Sequence, residues 1–128
     1  MITKKTWLNV SDNTNVEWLQ TFHLYKGFFR KKTTLGFFIK GSAKIVQPPR
    51  IEYKGYKFKF NKRGNICRGL IIRQKFPINR LDGAVTYFSS NAIILIKKKQ
   101  NTKSKHSIGP SSLRLRRKKF KSLFNKLL

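Results

Sequence analysis

Two short apolar runs with an Asp-Gly pair between them constrain this chain more than any other feature. Gly69-Leu70-Ile71-Ile72 is followed after nine residues by Asp82-Gly83, then by Phe88, Asn91 and Ile94-Leu95. Runs this short, rich in β-branched residues and bounded by turn formers, have the length of buried strands and fall well short of a helix. Between them, Asp82-Gly83 is a hairpin signal, because tight turns demand a positive φ that glycine adopts without steric cost. The longest apolar run, Ala92 to Ile96, is far too short to cross a bilayer, so no transmembrane helix and no membrane insertion are expected.

Extended patterning recurs over residues 6–97. Thr6 to Val10 reads as a first strand, stopped by Ser11-Asp12-Asn13-Thr14-Asn15, whose side chains favour turns. Val16 to Tyr25 reads as a second, and Gly27 with the cluster Arg30-Lys31-Lys32 as the next loop. Phe37 to Val46 is extended until Pro48-Pro49 ends it. Tyr53 to Phe60 alternates aromatic and lysine, so a strand there places Tyr56, Phe58 and Phe60 on one face and Lys57 and Lys59 on the other. The aromatic face either packs or stacks on unpaired bases. Ile66 to Lys75, Val85 to Phe88 and Ala92 to Lys97 complete the set. Many short strands in so little chain predict a mainly β fold, closed into a small barrel that leaves no open edge.

Thirty Lys and Arg stand against four Asp and Glu, a net charge of +26. Solubility is ordinarily met by a net charge of about 2 to 8, so this excess calls for an anionic partner. Nucleic acid comes first, because a phosphate array releases counterions when cations replace them. The candidate phosphate ligands run along the whole chain: Arg30, Lys31, Lys32, Arg50, Lys54, Lys57, Lys59, Lys62, Arg63, Arg73, Lys75 and Arg80, then Arg114 to Lys119. Contacts of this kind position a protein on folded RNA without reading its sequence.

Catalysis is poorly provided for. The acids Asp12, Glu17, Glu52 and Asp82 form no closely spaced pair, and Asp12 and Asp82 read as turn residues. His23 reads as a partly buried strand residue and His106 as part of a basic loop, neither within a general-base motif. Cys67 is the single cysteine, so no intrachain disulfide forms and no zinc-ligand spacing exists; it reads as a small apolar strand residue. Neither an enzyme, a cofactor nor a metal site is expected.

The last third changes character. Lys97 to His106 is a basic loop, and Ile108-Gly109-Pro110-Ser111-Ser112 prepares a helix start. Phe120, Leu123, Phe124, Leu127 and Leu128 then recur at helical spacing opposite Lys118, Lys119, Lys121 and Lys126. The expected arrangement is a β-barrel domain over residues 1–109 with a basic ribbon at about 48–66, and a basic C-terminal helical segment over residues 110–128. That helix either docks its apolar stripe on the barrel or meets a membrane surface or partner helix.

The strand-turn-strand pattern, with Leu8-Asn9-Val10-Ser11-Asp12-Asn13 near the start and Ile108-Gly109-Pro110 near the end, resembles the large-subunit ribosomal protein fourteen family from Met1 to about Leu123. The resemblance implies a five-stranded β-barrel with a projecting β-ribbon and short C-terminal helices. It implies binding to large-subunit rRNA, contact with neighbouring large-subunit ribosomal proteins, and a bridge to small-subunit rRNA across the interface. It also implies docking of a ribosome-silencing factor. The interface or docking residues it assigns are Lys103, Lys105 and His106 in the segment before the Gly-Pro pair, with Arg114, Arg116 and Arg117.

The chain also departs from the family pattern. It has Thr14-Asn15-Val16 where a glycine is usual, which predicts Asn15 in a left-handed conformation. Leu81 replaces a common proline, residues 50–65 suggest a longer arm, and the usual acidic C-terminal residues become Lys and Arg. The last change favours rRNA at the expense of silencing-factor docking. Abundant Phe, Ile, Lys and Asn fit an AT-rich, mitochondrial coding genome, and the N-terminus shows no secretory or import signal. A plastid or bacterial ribosome also suits such a chain. Two rival readings are a free-standing single-strand-binding barrel that stacks bases on Tyr53, Tyr56, Phe58 and Phe60, and a membrane-active cationic protein acting through residues 113–128.

Overall fold

The computed structural model describes residues 1–25, 27, 29–48, 61–98, 101–104, 106–115 and 117–128. The aromatic-lysine alternation from Tyr53 to Phe60, and with it most of the expected ribbon, lies outside the described residues. In chain order the elements are β1 (Ile2–Thr3), β2 (Trp7–Val10), β3 (Val16–Leu24), β4 (Lys32–Thr33), β5 (Phe38–Val46), β6 (Ile66–Arg73), β7 (Ile78–Asn79), β8 (Val85–Thr86), β9 (Ala92–Ile96) and α1 (Lys118–Lys121). Five of them close a barrel in the order β2-β3-β5-β6-β9, as the strand pattern predicts. Its long strands begin and end within two residues of their expected limits. The expected strand at Val85 to Phe88 is present as β8, shortened to two residues, whereas its partner β7 and the pair β1 with β4 escaped the pattern because two-residue strands carry no periodicity.

The inward positions of the strands, among them Leu8, Leu19, Ile39, Ala43, Ile71 and Ile93, fill the barrel and are essentially inaccessible. Cys67 is buried with them, as expected of a small apolar strand residue, and burial pushes its thiol above the usual range. A thiol so placed is a poor nucleophile. Gly41 marks the tightest approach between strands: a Cβ there would lie 2.6 Å from the Gln20 carbonyl oxygen and overlap the Leu19 side chain. In β9 all five residues are buried, which explains why its sequence is continuously apolar instead of alternating.

Closure depends on a short parallel seam. β2 pairs with β9 only at Asn9 and Val10, and beyond that point β9 has lost its neighbour. The Asp12 carboxylate takes over: Oδ2 accepts the Leu95 N–H at 2.8 Å, while Oδ1 accepts the Thr14 N–H at 3.2 Å and the Thr14 hydroxyl at 2.6 Å. The Leu95 carbonyl in turn accepts the N–H of Lys103. Asp12 is therefore more than the turn residue its neighbours suggested, since one oxygen holds the turn and the other substitutes for the missing strand.

Burial raises the Asp12 carboxyl above its ordinary 3.8, with the bonds from Thr14 and Leu95 and the charge of Lys103 opposing the rise. The folded chain then keeps this proton to a higher pH than the unfolded chain does. The stability contributed by Asp12 consequently falls as pH rises from 3.8 through its raised folded pKa, and is constant above that. An Asp12→Asn variant should be less stable by about 1 to 3 kcal/mol, because its amide NH2 must face the Leu95 or the Thr14 donors. Urea denaturation across this pH window checks both points. The gap between the native chain and the variant should narrow as pH climbs through the window, and a constant gap would refute the buried-carboxylate account.

Three expectations are corrected. Asp82-Gly83 does make a hairpin turn, with Gly83 at φ 87° and Arg80 N–H bonded to the Ala84 carbonyl at 2.8 Å. That hairpin, however, joins β7 to β8 and leaves β6 and β9 to pair with each other beneath the excursion. Asn15 does not take the left-handed conformation, which among described non-glycine residues belongs to Lys5 alone. The Asn15 side chain instead holds the 61–65 turn, donating to the Asn61 carbonyl at 2.7 Å and accepting the Asn61 N–H at 3.1 Å.

The C-terminal segment is the third case, for its expected helix shrinks to the single turn of α1. Its N-cap, Arg117, makes no side-chain cap bond, its first turn holds no acid, and Lys118 and Lys119 stand where the helix dipole disfavours cations. The chain then folds back, with Ser111 N–H bonded to the Lys126 carbonyl and Leu128 N–H to the Ser111 carbonyl. Phe120 and Phe124 still reach the common core, so the apolar stripe docks on the barrel without a long helix.

Candidate nucleic-acid interface

At the end of the barrel where β5 begins and β6 finishes, two basic clusters far apart in sequence meet. The first is Arg30-Lys31-Lys32, whose Arg30 Nε donates to the Lys32 carbonyl at 2.9 Å while its guanidinium lies 5.0 Å from the Phe37 ring. Pairing of β4 with β1 fixes Lys32 opposite Thr3. The second is the C-terminal cluster, in which Arg114, Arg117, Lys118 and Lys119 are exposed. Its backbone is anchored by buried Leu115 and Phe120, and the Phe120 ring packs edge-on against Phe38 at 6.1 Å. The two segments approach at Gly36, four residues after Lys32, where a Cβ would lie 3.6 Å from the Arg114 carbonyl oxygen, while Lys119 Nζ reaches Asn101 Oδ1 at 3.5 Å just beyond β9. Aromatic packing thus holds a set of cations on one surface that no local sequence feature unites.

The opposite end, where β5 finishes and β6 begins, carries a smaller set. Lys62 and Arg63 are exposed in the turn before β6, and Lys103 Nζ donates to Asn61 Oδ1 at 3.2 Å. Residues 102–111 run between the two ends: Thr102 lies opposite Ile96, Ser107 opposite Asp12, and Ser111 Oγ donates to the Ile72 carbonyl at 3.0 Å. Lys103 and His106 lie along this strip, which the C-terminal cluster approaches through Lys119, whose Nζ donates to Asn101 Oδ1 at 3.5 Å. Lys75 is exposed beside Asn91, and Arg80 is half-buried in the hairpin. Arg50, Lys54, Lys57, Lys59, Lys105 and Arg116 lie outside the described residues.

Arg73 has a different place from the one its charge suggested. Its guanidinium donates to the carbonyls of Ile108 at 2.7 Å and Pro110 at 3.1 Å, and to the Ser11 hydroxyl. It staples the 108–110 turn to Ser11, just past the end of β2. Gly109, at φ 85°, sits where a Cβ would collide with Arg73 Nη1, which accounts for glycine there.

A single barrel with a dense, sequence-remote clustering of cations accords with what comparison of the whole chain finds. The family model for ribosomal protein L14p/L23e matches residues 1–126. The chain belongs to this family. A curated relative, the large ribosomal subunit protein uL14m of Tetrahymena pyriformis, is 34% identical over 124 residues, covering 97% of each chain.

The motifs that carried the family resemblance have structural reasons in this L14-family protein. Ser11-Asp12 closes the seam, and Gly109-Pro110 receives Arg73. The residues that sequence reasoning missed are those acting across the fold, namely Asn15, Asn61 and the carboxylate of Asp12 in its second role. Their only signal was polarity at strand ends, which turns alone suffice to explain. Among the described residues, no group of three or more His, Cys, Asp or Glu is placed to hold a metal ion. No described helix is long and apolar enough to cross a membrane.

Proposed function

We propose that this ribosomal protein is a structural constituent of the mitochondrial large ribosomal subunit, held in place by large-subunit rRNA. The approach of the segment bearing Arg30, Lys31 and Lys32 to the segment bearing exposed Arg114, Arg117 and Lys118 carries this reading. Phosphate neutralisation by such a surface supplies affinity, and the rigid barrel supplies shape fit to folded RNA. The relative from Tetrahymena pyriformis, itself a large-subunit protein, supports the same assignment. The protein works by position and turns over no substrate.

A second contact, with small-subunit rRNA, falls to the segment around Lys103 and His106. That segment is tied to the barrel by the Lys103, Ile108 and Ser111 bonds, as a bridge that must keep its shape under load requires. Docking of a silencing factor at the C-terminal cluster is weakened by the cations that stand there. The deciding experiment is sedimentation of mitochondrial extract. The chain should travel with large subunits and monosomes and leave them only at stripping salt, whereas recovery at the top of the gradient in low salt would overturn the assignment.

A further inference from the structure

Seven residues lie side by side on the outer face of the barrel without one charge among them, in a chain where 30 of 128 residues are Lys or Arg. Strand register sets Trp7, Gln20, Ser42 and Ile66 in one row across β2, β3, β5 and β6, and Asn9, Trp18 and Ile45 in the next. Trp7, Trp18, Ile45 and Ile66 are 46%, 38%, 45% and 72% exposed. These are the only two tryptophans of the chain, and their rings meet at 6.5 Å with planes tilted by 56°. Apolar groups gathered in this way on a soluble surface gain free energy when something covers them.

The chemistry of the patch selects among possible covers. RNA is a poor fit to the patch itself: the indoles tilt against each other without forming parallel platforms, and Ile45 and Ile66 have no π face to offer a base. A second copy is opposed by +26 on each chain. A neighbouring protein fits, because the centres of protein interfaces are depleted of charge and tryptophan dominates their affinity. Asn9, Gln20 and Ser42 supply polar partners inside the patch. Lys44 lies on β5 between Ser42 and Ile45, Lys40 and Arg68 pair in the row beyond Ser42 and Ile66, and the Lys5 carbonyl accepts from Gln20 Nε2, so cations around the patch outnumber the one acid at its edge, Glu17 beside Trp18. We propose that this outer face around Trp7 and Trp18 docks a neighbouring protein through an apolar segment flanked by carboxylates, at a site separate from the rRNA-facing cations. The inference rests on the chain's residence in the large subunit.

An Ile45→p-benzoylphenylalanine chain, assembled into large subunits and irradiated there, tests it. The expected product is an adduct to one peptide of one ribosomal protein, with apolar residues next to Asp or Glu. In parallel, a Trp7→Ser, Trp18→Ser chain should still co-sediment with the subunit while its hold on that protein weakens about 30-fold. Should the paired serines disturb folding, Ile45→Glu applies the same test by setting like charge against the acidic rim. An adduct to an rRNA nucleotide, an adduct to a second copy, no adduct, or full retention of the protein in the variants would each overturn the docking. Loss of co-sedimentation by the unsubstituted chain would instead count against the ribosomal assignment itself.

Discussion

Between about 50 and about 200 mM salt, the affinity of this chain for isolated large-subunit rRNA should fall by roughly 10³- to 10⁵-fold, the response expected when ~6 to 10 cations neutralise phosphates. The variants that locate those cations follow from the structure. Replacing Arg114, Arg117 and Lys118 together by alanine should flatten the dependence of log affinity on log salt by about 0.7 to 0.9 per charge removed. Arg73→Ala should leave that slope unchanged, since three of its donor contacts are to this chain's own oxygens. It should instead lower stability, because those oxygens lose their partner. Filter binding across the salt range reads the slope. A flat response would remove phosphate neutralisation as the basis of binding, and a lowered slope in Arg73→Ala would return that residue to the phosphate ligands.

Gly41→Ala should destabilise the barrel by about 3 kcal/mol or more, a loss of roughly 10 °C in Tm. The reason is which atoms lie nearby: the added Cβ would stand 2.6 Å from the Gln20 carbonyl oxygen, which belongs to the β3 backbone and cannot swing aside as a side chain does. Relief requires β3 and β5 to separate in the middle of the ladder that joins them. Gly69→Ala is the control, for there the closest atom is the Ile93 Cδ1 methyl at 3.0 Å, the end of a side chain with rotamers to spare. Thermal melting of the two variants should rank Gly41→Ala well below Gly69→Ala. Equal melting temperatures would mean that the strands do not approach as closely as described.

Much of the fold was legible because strand-forming information is local. β3, β5 and β6 declare themselves by β-branched and aromatic residues between turn formers, and their limits shift by no more than a residue or two from expectation. Closure into a barrel also followed, since short strands with apolar inner faces need their edges paired. The C-terminal helix misled for the opposite reason. Helical spacing of Phe120, Leu123, Phe124 and Leu127 is a local pattern, but four cations at Lys118, Lys119, Lys121 and Lys126 with no acid among them give the helix no electrostatic support. Tertiary contact with Phe38 then required only that the rings arrive, not that a helix deliver them.

The candidate interface was legible as charge and not as surface. Sequence alone marked Arg30, Lys31 and Lys32 as cations in a loop and Arg114 and Arg117 as cations in a C-terminal helical segment, and could not say that the backbone at Gly36 would approach that at Arg114. Nor could it separate Arg73 from them, because a guanidinium that binds phosphate and one that staples a turn are the same residue type. The amino-acid sequence by itself determined the strand content, the single core, the large positive charge and the family. Those properties are sums over residues or patterns within a few neighbours. Only the tertiary structure decided which acid seals the barrel, which arginine is withdrawn from the surface, and which tryptophans stand together. Each of those outcomes depends on a hydrogen bond or a contact between residues distant in the chain, which exists only once the barrel has closed.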